Sequence, residues 1–175
     1  MSGWRTAEEA LRDHPVRDVL VPGFLDRDDD VPEVRPQPLV VWLRLDEGLL
    51  RFASAGQFDR LEAEAADGFD WSDVELLADA EDEVVVTRCG EQLFGDGRDE
   101  LRCTALRVYR APGAAPGVCT CLALDFEGGH TLFLDPTWTF GIRVGNAADE
   151  RRWRELYDEA GTALAAEVSP AAADG

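Results

Sequence analysis

The sequence predicts an α+β fold: a meander-like antiparallel β-sheet, a long C-terminal amphipathic helix packed on one face, and short helices near the N-terminus and in mid-chain. Several β-rich runs are joined by short turns, which favours antiparallel neighbours. After Val144 the apolar period changes from two residues to the helical period. The chain has 175 residues, of which 45% are hydrophobic. This is enough for one packed domain, which we assign to residues 1–168, followed by a flexible tail at 169–175.

The N-terminal region is predicted to contain a short helix and then an extended segment. Thr6 to Glu9 has the pattern of a capping box, which predicts a helix from Thr6 to about Asp13. His14 precedes a proline and therefore ends it. Residues 21–38 carry prolines and aspartates throughout, and we predict an extended Pro/Asp-rich arm there rather than a packed element.

The middle of the chain is predicted to be mostly strands. Residues 39–45 and 49–54 flank a three-residue turn that ends in glycine, a hairpin pattern. Residues 60–67 have a composition typical of a helix, but their apolar and acidic side chains alternate as in a strand, and after the hairpin we favour a third strand. Ser72 to Glu75 is a second capping box and predicts the mid-chain helix to about Ala80. Further strands are predicted at 83–89, 101–110, 118–126, 131–135 and 138–144.

The C-terminal helix is predicted from an apolar stripe of helical spacing that begins after Asn146 and extends toward residue 168. The stripe consists of Trp153, Leu156, Tyr157, Ala160 and Leu164. We expect it to pack on the strand face that alternates without interruption near the end of the sheet. That face consists of Trp138, Phe140, Ile142 and Val144.

The charge of the chain restricts its partners. It has 36 acidic against 17 basic residues, all of them Arg, and a net charge of −19. Nucleic acid and anionic membrane surfaces need cationic contacts, so neither is an expected partner. A basic protein is the expected partner, because opposite charge accelerates encounter. The N-terminus lacks the apolar core of a targeting signal and no apolar run is long enough to cross a membrane, which predicts a cytoplasmic protein with reduced thiols.

No metal or cofactor is predicted. The acidic run at 26–30 lacks the glycine and the bidentate glutamate of a calcium loop. Cys119 and Cys121 lie in a predicted strand, while Cys89 and Cys103 stand alone in two others. This spacing favours buried thiols over a zinc site, which usually takes pairs of cysteines from tight turns. The glycine-rich segments lack the pattern of a phosphate-binding loop.

A polar constellation near residue 130 gives an enzyme or small-ligand interpretation. His130 is flanked by Asp125 and Asp135, and a histidine oriented by an aspartate is the usual general base. If the chain is an enzyme, these three residues are its catalytic candidates. The same strand region places further polar side chains on one face, namely Thr137, Thr139 and Arg143.

The leading interpretation is an acidic protein-binding domain without catalytic activity. Its compact, acidic composition resembles that of small bacterial immunity or inhibitor proteins, which implies neutralisation of a basic toxin or nuclease. Trp71 is the candidate anchor, since tryptophan is enriched among interface hot spots. The candidate charged contacts are Asp28, Asp29, Asp30, Glu62 and Glu64. A structural subunit that reaches a neighbour with the 21–38 arm is a further alternative, and the sequence leaves the oligomeric state open.

Overall fold

The computed structural model describes residues 3–28, 30–57, 59–69, 83–95, 97, 99–114, 118–138, 141–159 and 165–170. Within these ranges the helices are α1 (Gly3–Asp13), α2 (Gly90–Phe94) and α3 (Ala147–Glu159). The strands are β1 (Val16–Asp26), β2 (Glu33–Pro36), β3 (Val40–Leu45), β4 (Leu49–Ala55), β5 (Arg60–Ala66), β6 (Glu83–Arg88), β7 (Cys103–Arg110), β8 (Cys121–Phe126), β9 (His130–Trp138), β10 (Gly141–Gly145) and β11 (Ala165–Pro170). The predicted α+β class with antiparallel pairing and a C-terminal helix is confirmed.

The strands form two sheets rather than one. Sheet A has six strands: β6 pairs with one edge of β1, β2 and β3 pair with its other edge, and β4 and β5 follow β3. Sheet B has five strands in the order β10, β9, β8, β7, β11. Consecutive strands pair within β3–β5 and within β7–β10, so each sheet contains a meander of the predicted kind.

The 21–38 region belongs largely to sheet A. Strand β1 runs to Asp26 and pairs with β2 and then β3, which lie end to end along the same edge of β1. Val21 is only 4% exposed. The first part of the predicted arm is therefore a packed strand, because its apolar residues face the core. Gln37, Pro38 and Leu39 separate β2 from β3 and interrupt the pairing.

The main core lies between the two sheets. Sheet A contributes Val41, Leu43 and Phe52, each fully buried, and sheet B contributes a row of leucines. These leucines are Leu122, Leu124, Leu132 and Leu134. Burial of such a side chain contributes about 1.5–3 kcal/mol. Helix α1 packs beside β5 and adds its own apolar face to this core, namely Trp4, Ala7 and Leu11.

Helix α3 packs on the face of sheet B that points away from sheet A. The Trp153 ring lies 5.1 Å from the Tyr109 ring and 5.7 Å from the Phe133 ring. The predicted packing surface of the helix is wrong. Ile142 of that strand face is fully buried between the two sheets, and Trp138 is 43% exposed. The prediction failed because a second sheet covers the apolar face that the sequence assigned to the helix.

Helix α3 is also shorter than predicted. It has 13 residues and ends at Glu159, and residues 165–170 form β11, which pairs with β7. The predicted helical continuation to residue 168 is therefore wrong, and β11 includes the first two residues of the predicted tail. Ala160 and Leu164 lie outside the described residues.

The N-terminal helix begins earlier than its predicted cap. Helix α1 starts at Gly3, so Thr6 lies within the helix and does not cap it. Trp4, in the first turn of α1, packs against sheet A, and its ring centroid lies 6.1 Å from that of Phe52. The predicted helix at 72–80 lies outside the described residues, and the mid-chain helix that the structure describes is α2. Among the described residues, none of the helices has the length and apolar character that a membrane crossing requires.

Candidate functional site

The candidate catalytic residues point to opposite faces of sheet B. His130 pairs in register with Phe126, and its ring lies 5.9 Å from Phe94 on the side that faces sheet A. Asp125 pairs in register with Thr131, whose hydroxyl donates a 2.8 Å hydrogen bond to it on the α3 side. Because neighbouring residues in a strand alternate between faces, the pleat separates His130 from both aspartates. The fold therefore does not place His130 beside either aspartate, which a histidine general base oriented by a carboxylate would require.

Asp125 instead belongs to a charged network beneath α3. Arg107 donates to both carboxylate oxygens of Glu150, at 2.8 Å each, and also to Asp125. Tyr109 donates its hydroxyl to Glu150 at 2.5 Å. Burial by itself would raise the pKa of Asp125, but the hydrogen bonds from Arg107 and Thr131 outweigh it and hold that pKa below its ordinary value. The network joins the start of α3 to strands β7 and β8, which is a structural role.

Asp135 is also satisfied locally. It is buried and accepts hydrogen bonds from the Thr137 amide at 2.9 Å, the Thr137 hydroxyl at 2.5 Å and the Cys121 thiol at 3.4 Å. Arg143 lies opposite Asp135 in register, yet its guanidinium donates to Asp149 of α3 at 3.1 Å. The predicted polar face thus exists in part, but α3 borders it. Thr139 lies outside the described residues.

The four cysteines are free thiols that do not converge. Cys119 lies in the core between the sheets, and Cys121 lies on the α3 side of sheet B. Burial raises the pKa of the Cys103 thiol to about 12 and raises the pKa of the Cys121 thiol further above its usual range. Within the described part of the chain, no three His, Cys, Asp or Glu side chains are grouped so that they could hold a metal ion.

The β1–β2 hairpin carries the most exposed acidic segment among the candidate residues. We call residues 26–36 the hairpin tip; it holds five carboxylates and two arginines. Asp28 and Asp30 are exposed, and all four residues of β2 are exposed. Val31 and Val34 are 71% and 45% exposed, so apolar side chains are presented among the carboxylates. Asp29 lies outside the described residues.

The second predicted acidic segment is partly neutralised. Glu62 and Glu64 project from β5 and are exposed. Arg51 donates to Glu64 at 2.7 Å, and Arg60 lies 3.9 Å from Glu62. These two carboxylates are therefore less available to a partner than Asp28 and Asp30 of the hairpin tip. Trp71, the predicted anchor, lies outside the described residues.

An apolar cleft of about 490 Å³ adjoins the hairpin tip. It forms where the interruption between β2 and β3 meets β10, whose Ile142 amide donates to the Pro38 carbonyl at 2.6 Å. Pro36 of the hairpin tip and the half-exposed Trp138 line it together with other residues. These are Val21, Pro38, Cys89, Ile142, Arg143 and Val144. We call this space the Trp138 cleft.

The sequence interpretation missed the apolar part of this surface. Val31 and Val34 stood in a segment noted for its charge, and Trp138 was assigned to the core because its strand alternates regularly. An apolar residue within an acidic, proline-rich segment was the available signal for the two valines. Comparison of the chain with protein-family models, with curated proteins and with solved structures gave no match.

Proposed function

We propose that this protein is a protein-binding domain that captures a basic partner, and that the hairpin tip is its main contact. The observation that carries the proposal is the exposure of Val31 and Val34 among the carboxylates of the tip. Exposed carboxylates attract and orient a basic partner, whereas buried apolar contact supplies most of the affinity. The tip offers both in one hairpin.

The Trp138 cleft supports the same proposal. Pro36 belongs to the hairpin tip and also lines the cleft, so the acidic and apolar parts form one continuous surface. A half-exposed tryptophan beside an apolar cleft is typical of an interface anchor, because such rings desolvate well at little cost in conformational entropy. In this proposal Trp138 takes the anchoring role that the sequence assigned to Trp71.

The charge of the whole chain sets the class of partner. A net charge of −19 attracts a basic protein and repels nucleic acid, and this agrees with a cytoplasmic inhibitor or immunity protein that neutralises a basic toxin or nuclease. An inhibitor of this kind blocks the partner's access to the partner's substrate. It does so without a catalytic residue of its own. The separation of His130 from Asp125 and Asp135 favours this interpretation over an enzyme.

The test compares two variants that remove the same charge. Asp28→Asn with Asp30→Asn removes two exposed carboxylates from the hairpin tip, and Glu155→Gln with Asp158→Asn removes two exposed carboxylates from α3. Immobilised protein is exposed to native lysate at low salt, and bound proteins are identified by mass spectrometry. We expect a basic protein to be retained by the wild type and by the α3 variant, and to be lost from the tip variant.

Two results would refute the proposal. One is retention of the same proteins by the tip variant and the wild type at every salt concentration. The other is loss of capture on His130→Ala while the tip variant binds normally, since that outcome favours a site at the end of sheet B. Val34→Ser tests the apolar part separately and is expected to weaken capture without changing its salt dependence.

A further inference from the structure

A cavity of about 670 Å³ opens beside α2, at the end of sheet A where β1, β3 and β6 meet it. Among the described residues, three arginines line it, one from each strand: Arg17 from β1, Arg44 from β3 and Arg88 from β6. The chain has 17 basic residues in all and a large excess of acid, so three guanidinium groups around one cavity form a local exception. Its size is within the range of small-ligand pockets.

A buried carboxylate fixes one of these arginines. Asp18 is 3% exposed and accepts hydrogen bonds from the Val19 amide at 2.9 Å, the Gly90 amide at 3.0 Å and the Arg88 Nε. A side chain at Gly90 would not fit, because a Cβ there would lie 2.6 Å from Asp18 Oδ1. A buried charge is costly unless it is paired and hydrogen-bonded, and Asp18 is both. Arg88 binds Asp18 through Nε, and the Arg88 side chain is 74% exposed, which leaves its terminal nitrogens accessible to a ligand.

The other two arginines differ in their partners. Arg44 lies opposite Asp18 in register and is exposed, and its side chain forms no hydrogen bond or ion pair with the described residues. Arg17 lies 3.2 Å from Glu100, with both side chains well exposed, and such pairs are weak in water. Arg44 is therefore the guanidinium most available to a ligand.

The rest of the lining is mixed in character. Val16, Phe94 and Leu101 give the cavity a small apolar wall, since each is less than a tenth exposed, and Glu91 and Asp99 place carboxylates on the lining. Guanidinium groups bind carboxylates and phosphates in a planar, often bidentate geometry. An apolar wall beside them suits the carbon skeleton of the same ligand. Glu91 and Asp99 repel an anion, so the cavity favours a ligand that carries few negative charges.

We propose that this cavity binds a small organic anion through a phosphate or carboxylate group, with Arg44 and Arg88 as its direct contacts. Asp18 is a positioning residue that holds Arg88 in place and does not touch the ligand. The apolar wall selects an anion with an apolar body over an inorganic one. This site is separate from the hairpin tip and does not depend on the protein-binding proposal.

The first test is calorimetric titration with phenyl phosphate, benzoate and inorganic phosphate at constant ionic strength. We expect saturable binding of at least one organic anion at millimolar concentration or below, tighter than that of inorganic phosphate. Preference between phenyl phosphate and benzoate distinguishes a phosphate ligand from a carboxylate ligand. Arg44→Gln is expected to weaken binding at least about tenfold, since it removes a charge-assisted hydrogen bond. Arg152→Gln, an exposed arginine of α3, is the matched control and is expected to leave affinity unchanged.

A second pair of variants tests the opposite sign. Asp99→Asn removes a carboxylate from the cavity wall and is expected to tighten binding, whereas Asp158→Asn on α3 makes the same charge change elsewhere and is not. Arg44 and Asp99 are both exposed, so these variants are expected to fold. The proposal is overturned if none of the three anions binds saturably up to about 10 mM. It is equally overturned if Arg44→Gln and Arg152→Gln have the same affinity as the wild type.

Discussion

Two buried carboxylates, Asp18 and Glu150, connect helices to sheets through hydrogen bonds in this protein. Asp18 joins β1 to the start of α2 through the Gly90 amide, and Glu150 joins the start of α3 to Arg107 and Tyr109. Each is less than a tenth exposed and each has several donors. Because a buried charge with a missing partner is strongly destabilising, the partners of these residues matter as much as the carboxylates themselves.

Glu150→Gln tests this at the α3 end. The amide keeps the size of the side chain but loses the charge that Arg107 and Tyr109 bind, while Arg107 retains Asp125. We expect the free energy of unfolding, measured by urea denaturation, to fall by about 1.5–3 kcal/mol. Glu155→Gln, an exposed change on the same helix, is expected to stay within about 0.5 kcal/mol of the wild type. Equal effects of the two substitutions would contradict a stabilising role for the network.

The cysteines give a second prediction at this scale. Cys89 is half-buried, whereas Cys103, Cys119 and Cys121 are at most 1% exposed. Burial raises the pKa of the Cys89 thiol as well, which slows its reaction. At about pH 8 a disulfide reagent is expected to modify one thiol slowly in the folded protein and all four after denaturation. Rapid modification of two or more thiols in the native state would mean that the buried sites open readily.

At the scale of elements, residues 37–39 between β2 and β3 connect the two sheets through a backbone hydrogen bond. Its Pro38 carbonyl accepts the Ile142 amide of β10, which continues hydrogen bonding from sheet A to sheet B. Gly141 makes this approach possible, because its φ is +113° and a Cβ there would lie 2.7 Å from the Pro38 oxygen. The β9–β10 register also shifts between Gly141 and Arg143, so the strand is irregular at the same point.

Gly141→Ala is therefore expected to destabilise the fold. The substitution adds both the strain of an unfavourable φ and a clash with backbone, and each such strained position costs about 1–3 kcal/mol. Gly68→Ala is the control, since a Cβ there would meet nothing within 4 Å and its φ is ordinary. Thermal unfolding of both variants compares the costs. If Gly141→Ala unfolds at the same temperature as Gly68→Ala, the close approach at Pro38 does not constrain the fold.

At the scale of the whole molecule, excess negative charge opposes the compact state. The net charge is −19, so the exposed carboxylates repel one another. At low salt this repulsion acts over much of the molecule, because the Debye length is then long. Added sodium chloride screens this repulsion, so the midpoint of thermal unfolding is expected to rise between low salt and about 0.5 M. A midpoint that is unchanged or lower at high salt would show that self-repulsion is not a significant term.

The sequence by itself determined several local features of this protein: the strand runs between β3 and β10, the hairpin between β3 and β4, the start of α3 near Asn146, and the acidic composition. These follow from side-chain period, turn residues and charge, all of which act over a few neighbouring positions. The sequence could also identify Asp28 and Asp30 as exposed charge, since both lie in an uninterrupted run of charged residues at 26–30.

Only the tertiary structure decided how the elements meet. An alternating strand marks one apolar face but does not say whether a helix or a second sheet covers it, so α3 was assigned to the face that sheet A occupies. The register of the β8–β9 hairpin places His130 on the face opposite Asp125. The grouping of Arg17, Arg44 and Arg88 around one cavity depends on strand pairing between distant segments. Such pairing reflects the burial of the whole core, which no local pattern encodes, and it decides which polar residues become neighbours.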